Sequence, residues 1–477
     1  MIATLDHVLA EACKRRFFRF FCEFWETIES VELRLNWHIE FVCDVCQEAY
    51  ERWERGEDAE DVLINIPPGT SKSTIVSQLF NAWCWLRTPG MRFLSSSYSS
   101  DLAVSHAIKT RDCLKSDKFR RLFPGRIEFK ADVDGKTNYR NTSGGQRFVT
   151  STNGSAIGVH ADCIVIDDPL NVKKAASDVE RKSAVSHVQQ GLSTRKTDKR
   201  RSFSIMVMQR LHELDPAGEW IAKKKRLRHI CLPGRLSKDI KPVEASTRYV
   251  SGLLDPVRLD EHALQTLLAD MGSYGFAGQV QQTPSPEEGG LLKKAWFKKL
   301  TWPEFLKLPG AVGAVWNFDA DTAYTNDQKN DPSAVMASAY LGQNLYVRHV
   351  SEHWLELPEL KRKLLEIVKP ENGYTTMSRF YVEPKATGKS VVQELRSISQ
   401  LNVVEAPTPK DDKPTRVNAV APFIEAGRVI LIDGSWNDAF ISQAATFPTG
   451  AHDDMLDCLT QAIARYNKPK TSGFAWS

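Results

Sequence analysis

Val62-Leu63-Ile64-Asn65-Ile66-Pro67-Pro68-Gly69-Thr70-Ser71-Lys72-Ser73-Thr74 is the stretch that decides the fold. Val62–Ile66 is an apolar run that reads as a buried strand, and a tight loop with Lys and Ser/Thr follows it. Proteins hold nucleotide phosphates in such loops. Backbone N–H groups curl round the β-phosphate, the lysine reaches the β/γ oxygens, and the hydroxyl beside it ligates Mg²⁺. The candidate nucleotide-binding residues are therefore Pro68, Gly69, Thr70, Ser71, Lys72, Ser73 and Thr74, with Lys72 and Ser73 in the two chemical roles. Two positions depart from the usual pattern: Ile66 and Ser71 stand where such loops carry glycine. The loop therefore needs support from elsewhere in the chain.

With 477 residues the chain has room for two or three domains. It is 26% charged and 42% apolar, the balance of a globular protein. A net charge of +4 does not by itself announce a nucleic-acid binder. The nine cysteines are scattered; Cys43 and Cys46 form one C-x-x-C, with no second pair or histidine pair at zinc spacing. Ordinary buried thiols are the expectation. An odd count with no signal peptide suggests a reducing cytosol. No apolar run approaches the length of a membrane span. There is no internal repeat and no low-complexity tract.

Residues 1–60 read as helical, and Phe17-Phe18-Arg19-Phe20-Phe21-Cys22-Glu23-Phe24-Trp25 reads as a helix packed on the core. Between residues 61 and 282 strand-like runs (Val62–Ile66, Arg92–Ser96, Arg147–Thr150, Cys163–Ile166, Ser204–Val207) alternate with helical ones. This pattern predicts an α/β domain with a parallel sheet. Residues 258–282 read as helical. A run rich in Pro, Glu and Gly, Thr283–Gly290, opens a linker placed at 283–309. From 310 to 477 the α/β pattern restarts. Strands are expected at Ala314–Phe318, Ser333–Ala339, Asn344–His349 and Arg379–Glu383, with helices at 357–368, 388–399 and 453–466.

A phosphate loop needs a metal-side carboxylate on a neighbouring strand. Cys163-Ile164-Val165-Ile166-Asp167-Asp168 supplies one: four apolar residues, then two acids. Asp167 would hold Mg²⁺ through water, and Asp168 would polarise the attacking water. Ser204–Met208 is a further strand that ends in Gln209-Arg210, polar groups suited to sensing the γ-phosphate.

In order and spacing, several segments together resemble the large subunit of the tailed-phage terminase, the DNA-packaging motor. They are Pro67–Thr74, Cys163–Leu170, Gln209–Asp215, Phe276–Pro286 and Phe447–Asp454, so the likeness runs from about residue 35 to 466. It implies a P-loop NTPase domain with a parallel sheet and a C-terminal helical lid, joined to a ribonuclease H-like α/β nuclease domain. By the same resemblance Lys72 and Ser73 look like the Walker A pair, Asp167 like the Walker B ligand, and Asp168 like the catalytic acid. Gln209-Arg210 resembles the coupling segment, and Trp37-His38 the segment that contacts adenine. Such motors work as rings, with an arginine from one subunit completing the next subunit's site; Arg111 and Arg147 are the candidates. The resemblance also implies ATP and Mg²⁺ (or Mn²⁺) as cofactors. Its implied partners are double-stranded DNA, the portal protein of the procapsid and a small subunit that chooses the DNA, with the host cytoplasm as location.

Two-metal hydrolysis of DNA needs acids that converge on ions roughly 3.5–4 Å apart. The second domain offers three groups: Asp319 and Asp321 after a strand, Glu383 ending another, and Asp453, Asp454 and Asp457 opening the last helix. Asp453 and Asp457 share a helix face. This order resembles the ribonuclease H-like domain of terminases. In many relatives the first acid precedes Thr-Ala, which selects Asp321; strand position selects Asp319, and both stand. Lys385, Lys389 and Lys413-Pro414-Thr415-Arg416 are candidate phosphate contacts. So are the basic runs Arg195–Arg201, Lys223–Arg228 and Lys293–Lys299. Two other readings are a helicase-nuclease of repair or defence, which needs a second motor domain, and a nucleotide-gated scaffold with degenerate sites.

Overall fold

The Val62–Ile66 run forms the second strand from one edge of an eight-stranded sheet. The structure is a computed structural model that describes residues 5–152, 154, 158–284, 291–322, 331–383, 389–448 and 452–466. It divides into two compact units, Met1–Pro286 and Glu287–Ser477.

The strands of the first unit are β1 (Asp61–Asn65), β2 (Arg92–Ser97), β3 (Phe129–Asp134), β4 (Asn138–Asn141), β5 (Gln146–Ser151), β6 (Cys163–Asp167), β7 (Phe203–Met208) and β8 (Leu227–Cys231). Their order is β3-β4-β5-β2-β6-β7-β1-β8. The six from β5 to β8 are parallel, and the β3-β4-β5 edge is antiparallel. Every residue of β1, β6 and β7 is buried, as expected of strands covered by helices on both faces. β6 is not the neighbour of β1: β7 lies between them, with Asp167 level with Val207 and Asn65 level with Met208. The carboxylates thus reach the loop across the end of β7.

The helix Phe17–Phe24 buries Phe17, Phe20, Phe21 and Phe24 completely. Their rings pack on Phe80, Trp83 and Phe119. All nine cysteines are free thiols, and both members of the C-x-x-C lie in the core.

Two of the basic runs, expected to touch DNA, have partners within the unit. Asp61, buried at the start of β1, accepts from Lys196 Nζ at 2.8 Å, from Lys224 Nζ and from the Ser204 amide at 2.7 Å. Arg200 and Arg226 pair with Asp58, Lys223 with Glu219, and Arg228 with Glu48. Burial pushes the Asp61 carboxyl up, but the two lysines outweigh it and hold the group below the usual carboxylate range. Asp61→Ala strands two part-buried ammonium groups. It is expected to cost the first unit about 3–5 kcal/mol, read as a lower urea midpoint for that unit.

The second unit carries β9 (Lys298–Leu300), β10 (Asn317–Asp321), β11 (Ser333–Leu341), β12 (Asn344–His353), β13 (Phe380–Val382), β14 (Val403–Glu405) and β15 (Val429–Ile432). Their order is β14-β13-β10-β11-β12-β15-β9. β10, β11 and β12 form an antiparallel meander; β13 and β14 extend it in parallel on one side, and β15 and β9 on the other. The helix Asp454–Tyr466 packs across β10 and β11. The linker expected at 283–309 is corrected: Leu291, Leu292 and Phe297 are buried in the second unit's core, and β9 pairs with β15. A three-residue strand, two of whose residues are lysine, gives no alternation to read.

Candidate active sites

The loop after β1 has two left-handed residues, Gly69 (φ 76°) and Ser71 (φ 62°). For a non-glycine residue that conformation costs about 1–2 kcal/mol. The chain turns helical at Lys72, through a wide π-type stretch over Thr74–Leu79. This points Lys72 and Ser73 at the ends of β6. Lys72 Nζ lies 2.9 and 2.8 Å from the two oxygens of Asp168. Ser73 Oγ donates to Asp167 Oδ1 at 3.2 Å. The expected Walker residues are thus brought together.

Two further residues join them. Ser77 Oγ donates to Asp167 Oδ2 at 2.6 Å, and His106 Nε2 lies 3.3 Å from the same oxygen. Burial keeps the His106 pKa below its ordinary value despite Asp167. Ser77 follows Ser73 by one helical turn, a spacing visible in the sequence; His106 gives no local signal.

Asp168 sits at φ 42°, a conformation Asp tolerates. Its Oδ1 also accepts from the Gln209 amide at 3.3 Å. Burial raises its pKa, Lys72 opposes that, and Asp167 adds to it. In this structure the expected water-polarising acid is therefore an ion-pair partner of Lys72. Gln209 Oε1 is buried without a hydrogen-bond partner among the described residues. An orphaned acceptor beside Asp168 fits a site that takes up water or nucleotide.

Arg210 is a correction. Its side chain turns back to Asp215, at 3.1 Å, and to the carbonyls of His212 and Glu213. It fastens the cap of the helix Pro216–Lys223. Trp37 packs on Phe41 and Tyr249, and its buried Nε1 has no partner among the described residues, as fits a donor for a base. Its neighbour His38 lies 3.2 Å from the Thr70 carbonyl. Arg147 is fully buried, donating to Thr110 Oγ1 and to the Ser77 carbonyl, and Arg111 pairs with Asp134.

In the second unit Asp319 and Asp321 face the same side of β10, as residues two apart on a strand must. The helix Asp454–Tyr466 gives them opposite fates. Its C-terminal end brings Arg465, whose guanidinium grips both oxygens of Asp319, which is completely buried. Its first turn brings Asp454 and Asp457 to Asp321. Burial and then the Asp321 charge push the Asp454 pKa up to about 7. Such crowding is what a cation relieves. Ligand atoms of Asp331, His452 and Asp454 lie within 4.8 Å of one another.

The expected metal ligands therefore narrow. Asp319 is corrected to a structural ion pair. Asp457 is taken by Lys413 and Arg416, each at 2.9 Å, and Asp453 by Lys413. Glu383 lies 3.9 Å from Arg416. Lys413 and Arg416, expected to touch DNA, balance this acidic cluster instead. Asp331 and His452 went unread; the histidine adjoins Asp453-Asp454 and was legible, whereas Asp331 stands alone. Lys385 falls outside the described residues, as does the side chain of Lys389.

Asp319→Asn leaves Arg465 without its counter-charge and is expected to lower the second unit's thermal midpoint by several degrees. Asp321→Asn is expected to leave the midpoint within a few degrees while removing DNA cleavage. Calorimetry and a plasmid-nicking assay on both variants check the contrast.

A parallel sheet with a phosphate loop, followed by an acid-bearing mixed sheet, defines a P-loop ATPase fold coupled in sequence to a ribonuclease H-like domain. Residues 320–465 match the family model described as terminase RNaseH-like domain. The large terminase of the thermophilic bacteriophage D6E superposes with a TM-score of 0.50 at 10% identity, covering 88% of this chain and 98% of its own. The HK97 bacteriophage large terminase gives 0.38 at 12% identity, covering 95% and 99%. The large terminase nuclease of thermophilic phage G20c with bound magnesium gives 0.28 at 12%, covering 38% and 99%. No curated protein sequence matches the chain. Residues 320–465 of the second unit are thus similar to the terminase RNaseH-like domain family, and the chain shares the fold of the D6E large terminase.

Proposed function

We propose that this chain is the motor and nuclease of viral DNA packaging: it hydrolyses ATP to move double-stranded DNA into a procapsid and cuts concatemeric DNA. The observation that carries this reading is the meeting of Lys72 and Ser73 with Asp167 and Asp168 in a chain whose residues 320–465 match the terminase RNaseH-like family. A helicase-nuclease reading finds no support: the described residues of the first unit hold one sheet and no second motor sheet.

Lys72 exchanges Asp168 for phosphate oxygens when ATP enters, which frees Asp168 to orient water beside Gln209. Ser73 and Asp167 would hold Mg²⁺ in the first unit; Asp321 and Asp454, with Asp331 and His452, would hold Mg²⁺ or Mn²⁺ in the second. These cations supply positive charge that steadies phosphate oxygens and lowers the pKa of water. Lys413 and Arg416 keep Asp453 and Asp457 neutralised, so that the added charge is needed only at Asp321 and Asp454. Partners that fit this role are the portal protein, a small subunit that selects DNA and further copies of this chain in a ring, in the host cytoplasm. Among the described residues no helix is long and apolar enough to cross a membrane.

The test is cleavage of double-stranded DNA by the fragment Glu287–Ser477 with Mg²⁺ or Mn²⁺. It is expected to cut, whereas a fragment starting at 310 lacks β9 and part of the core. An inert, folded Glu287–Ser477 would overturn the nuclease reading.

A further inference from the structure

Ser71 stands where phosphate loops ordinarily have glycine, and its φ of 62° is one that side chains resist. Its carbonyl accepts from the Ile75 amide at 3.0 Å, and its hydroxyl is met by a guanidinium. Arg258 Nη1 donates to Ser71 Oγ at 3.0 Å, its Nη2 lies 3.2 Å from His38 Nε2, and its Nε donates to Asp255 Oδ2 at 2.5 Å.

The guanidinium is itself fixed. The Asp255 side chain is 1% exposed, and its other oxygen accepts from the amides of Val257 and Arg258, each at 3.2 Å. The Leu254 carbonyl accepts from Asn36 Nδ2 at 2.8 Å, and Asn36 caps the helix Trp37–Glu54. Burial, helped by the Arg258 charge, lowers the His38 pKa to about 4, and its Nε2 lies 3.2 Å both from Arg258 Nη2 and from the Thr70 carbonyl oxygen. The guanidinium is thus anchored through Asp255 to the frame of the unit, with Nη1 directed at the loop.

We propose that Arg258 is the positioning residue of the phosphate loop: it holds Ser71 in the left-handed conformation that glycine adopts unaided, and so keeps the loop formed for phosphate. The inference rests on reading the loop as a nucleotide site. A residue that gripped phosphate directly would matter equally whatever stood at position 71. One that holds Ser71 matters only while serine is there.

The experiment measures the affinity of the full chain for a fluorescent ATP analogue with Mg²⁺, in wild type, Arg258→Ala, Ser71→Ala, Ser71→Gly and Arg258→Ala/Ser71→Gly. Arg258→Ala and Ser71→Ala are each expected to weaken binding about tenfold. The double variant is expected to bind within about twofold of Ser71→Gly alone. Turnover at saturating ATP should move less than KM. Equal losses from Arg258→Ala in the serine and glycine backgrounds would overturn the proposal, as would no loss from either alanine variant. Thermal unfolding of each variant reports folding. Should Arg258→Ala not fold, Ser71→Ala keeps the Arg258–Asp255 pair, and full affinity in that variant overturns the proposal. A folded wild type that binds no analogue defeats the nucleotide reading itself, a result separate from those above.

Discussion

ATP turnover by the Lys72→Ala chain is expected to fall by about 10³-fold or more, the scale on which a charge clamp on a transferring phosphoryl group acts. Lys72 is the cation that the loop helix presents to the ends of β6, and it already sits within 3 Å of both Asp168 oxygens. Losing it removes the charge meant for the phosphate and leaves Asp168 buried without its counter-ion. Burial and Asp167 then drive Asp168 toward the protonated form, so the group that should orient water is lost as well. Two functions fail from one substitution, which is why the effect should exceed that of Asp168→Asn. Phosphate release at saturating ATP and Mg²⁺ measures it. DNA cleavage by the same variant should stay within a few-fold of wild type.

Asp454→Ala is expected to do the reverse. Removing a ligand of the second-unit cation should lower DNA cleavage by more than the 10–100-fold typical of losing an outer-shell partner. The substitution carries a second signature. Asp454 is crowded by Asp321 and by its own burial, so without divalent cations its charge opposes folding. The metal-free variant should therefore melt no lower than wild type in EDTA. Wild type should gain thermal stability on adding Mn²⁺, by mass action on the folded state, and the variant should gain far less. A stability change without the cleavage loss would assign Asp454 to the fold alone.

Much of this was legible in the chain because strands buried on both faces are written as apolar runs. Val62–Ile66, Cys163–Ile166 and Ser204–Val207 fall on β1, β6 and β7, and the residues after each run meet at one edge of the sheet. Strand order was not legible: nothing local says that β7 separates β1 from β6. The edge strands β3, β9 and β14, and β4 beside β3, also escaped, since exposed or very short strands carry no apolar run. In the second unit the acids were found but not their partners. Asp319 and Asp321 differ only in which end of the helix Asp454–Tyr466 each meets, and that depends on packing across β10. Arg210 was misread for a like reason: its partner Asp215 lies five residues on, and a turn that folds the guanidinium back on its own strand end cannot be told from one that extends it. Ser71 looked like a defect of the loop. The structure shows the left-handed backbone kept and an arginine from 187 residues away set against it.

The central claim is that one chain holds two separate chemistries, ATP hydrolysis in the first unit and metal-dependent DNA cleavage in the second. One preparation assayed for both, as wild type, Lys72→Ala and Asp454→Ala, measures it most directly. The account predicts that Lys72→Ala loses ATP turnover and keeps cutting, and that Asp454→Ala loses cutting and keeps ATP turnover. Folded variants in which each substitution removed both activities, or neither, would contradict it.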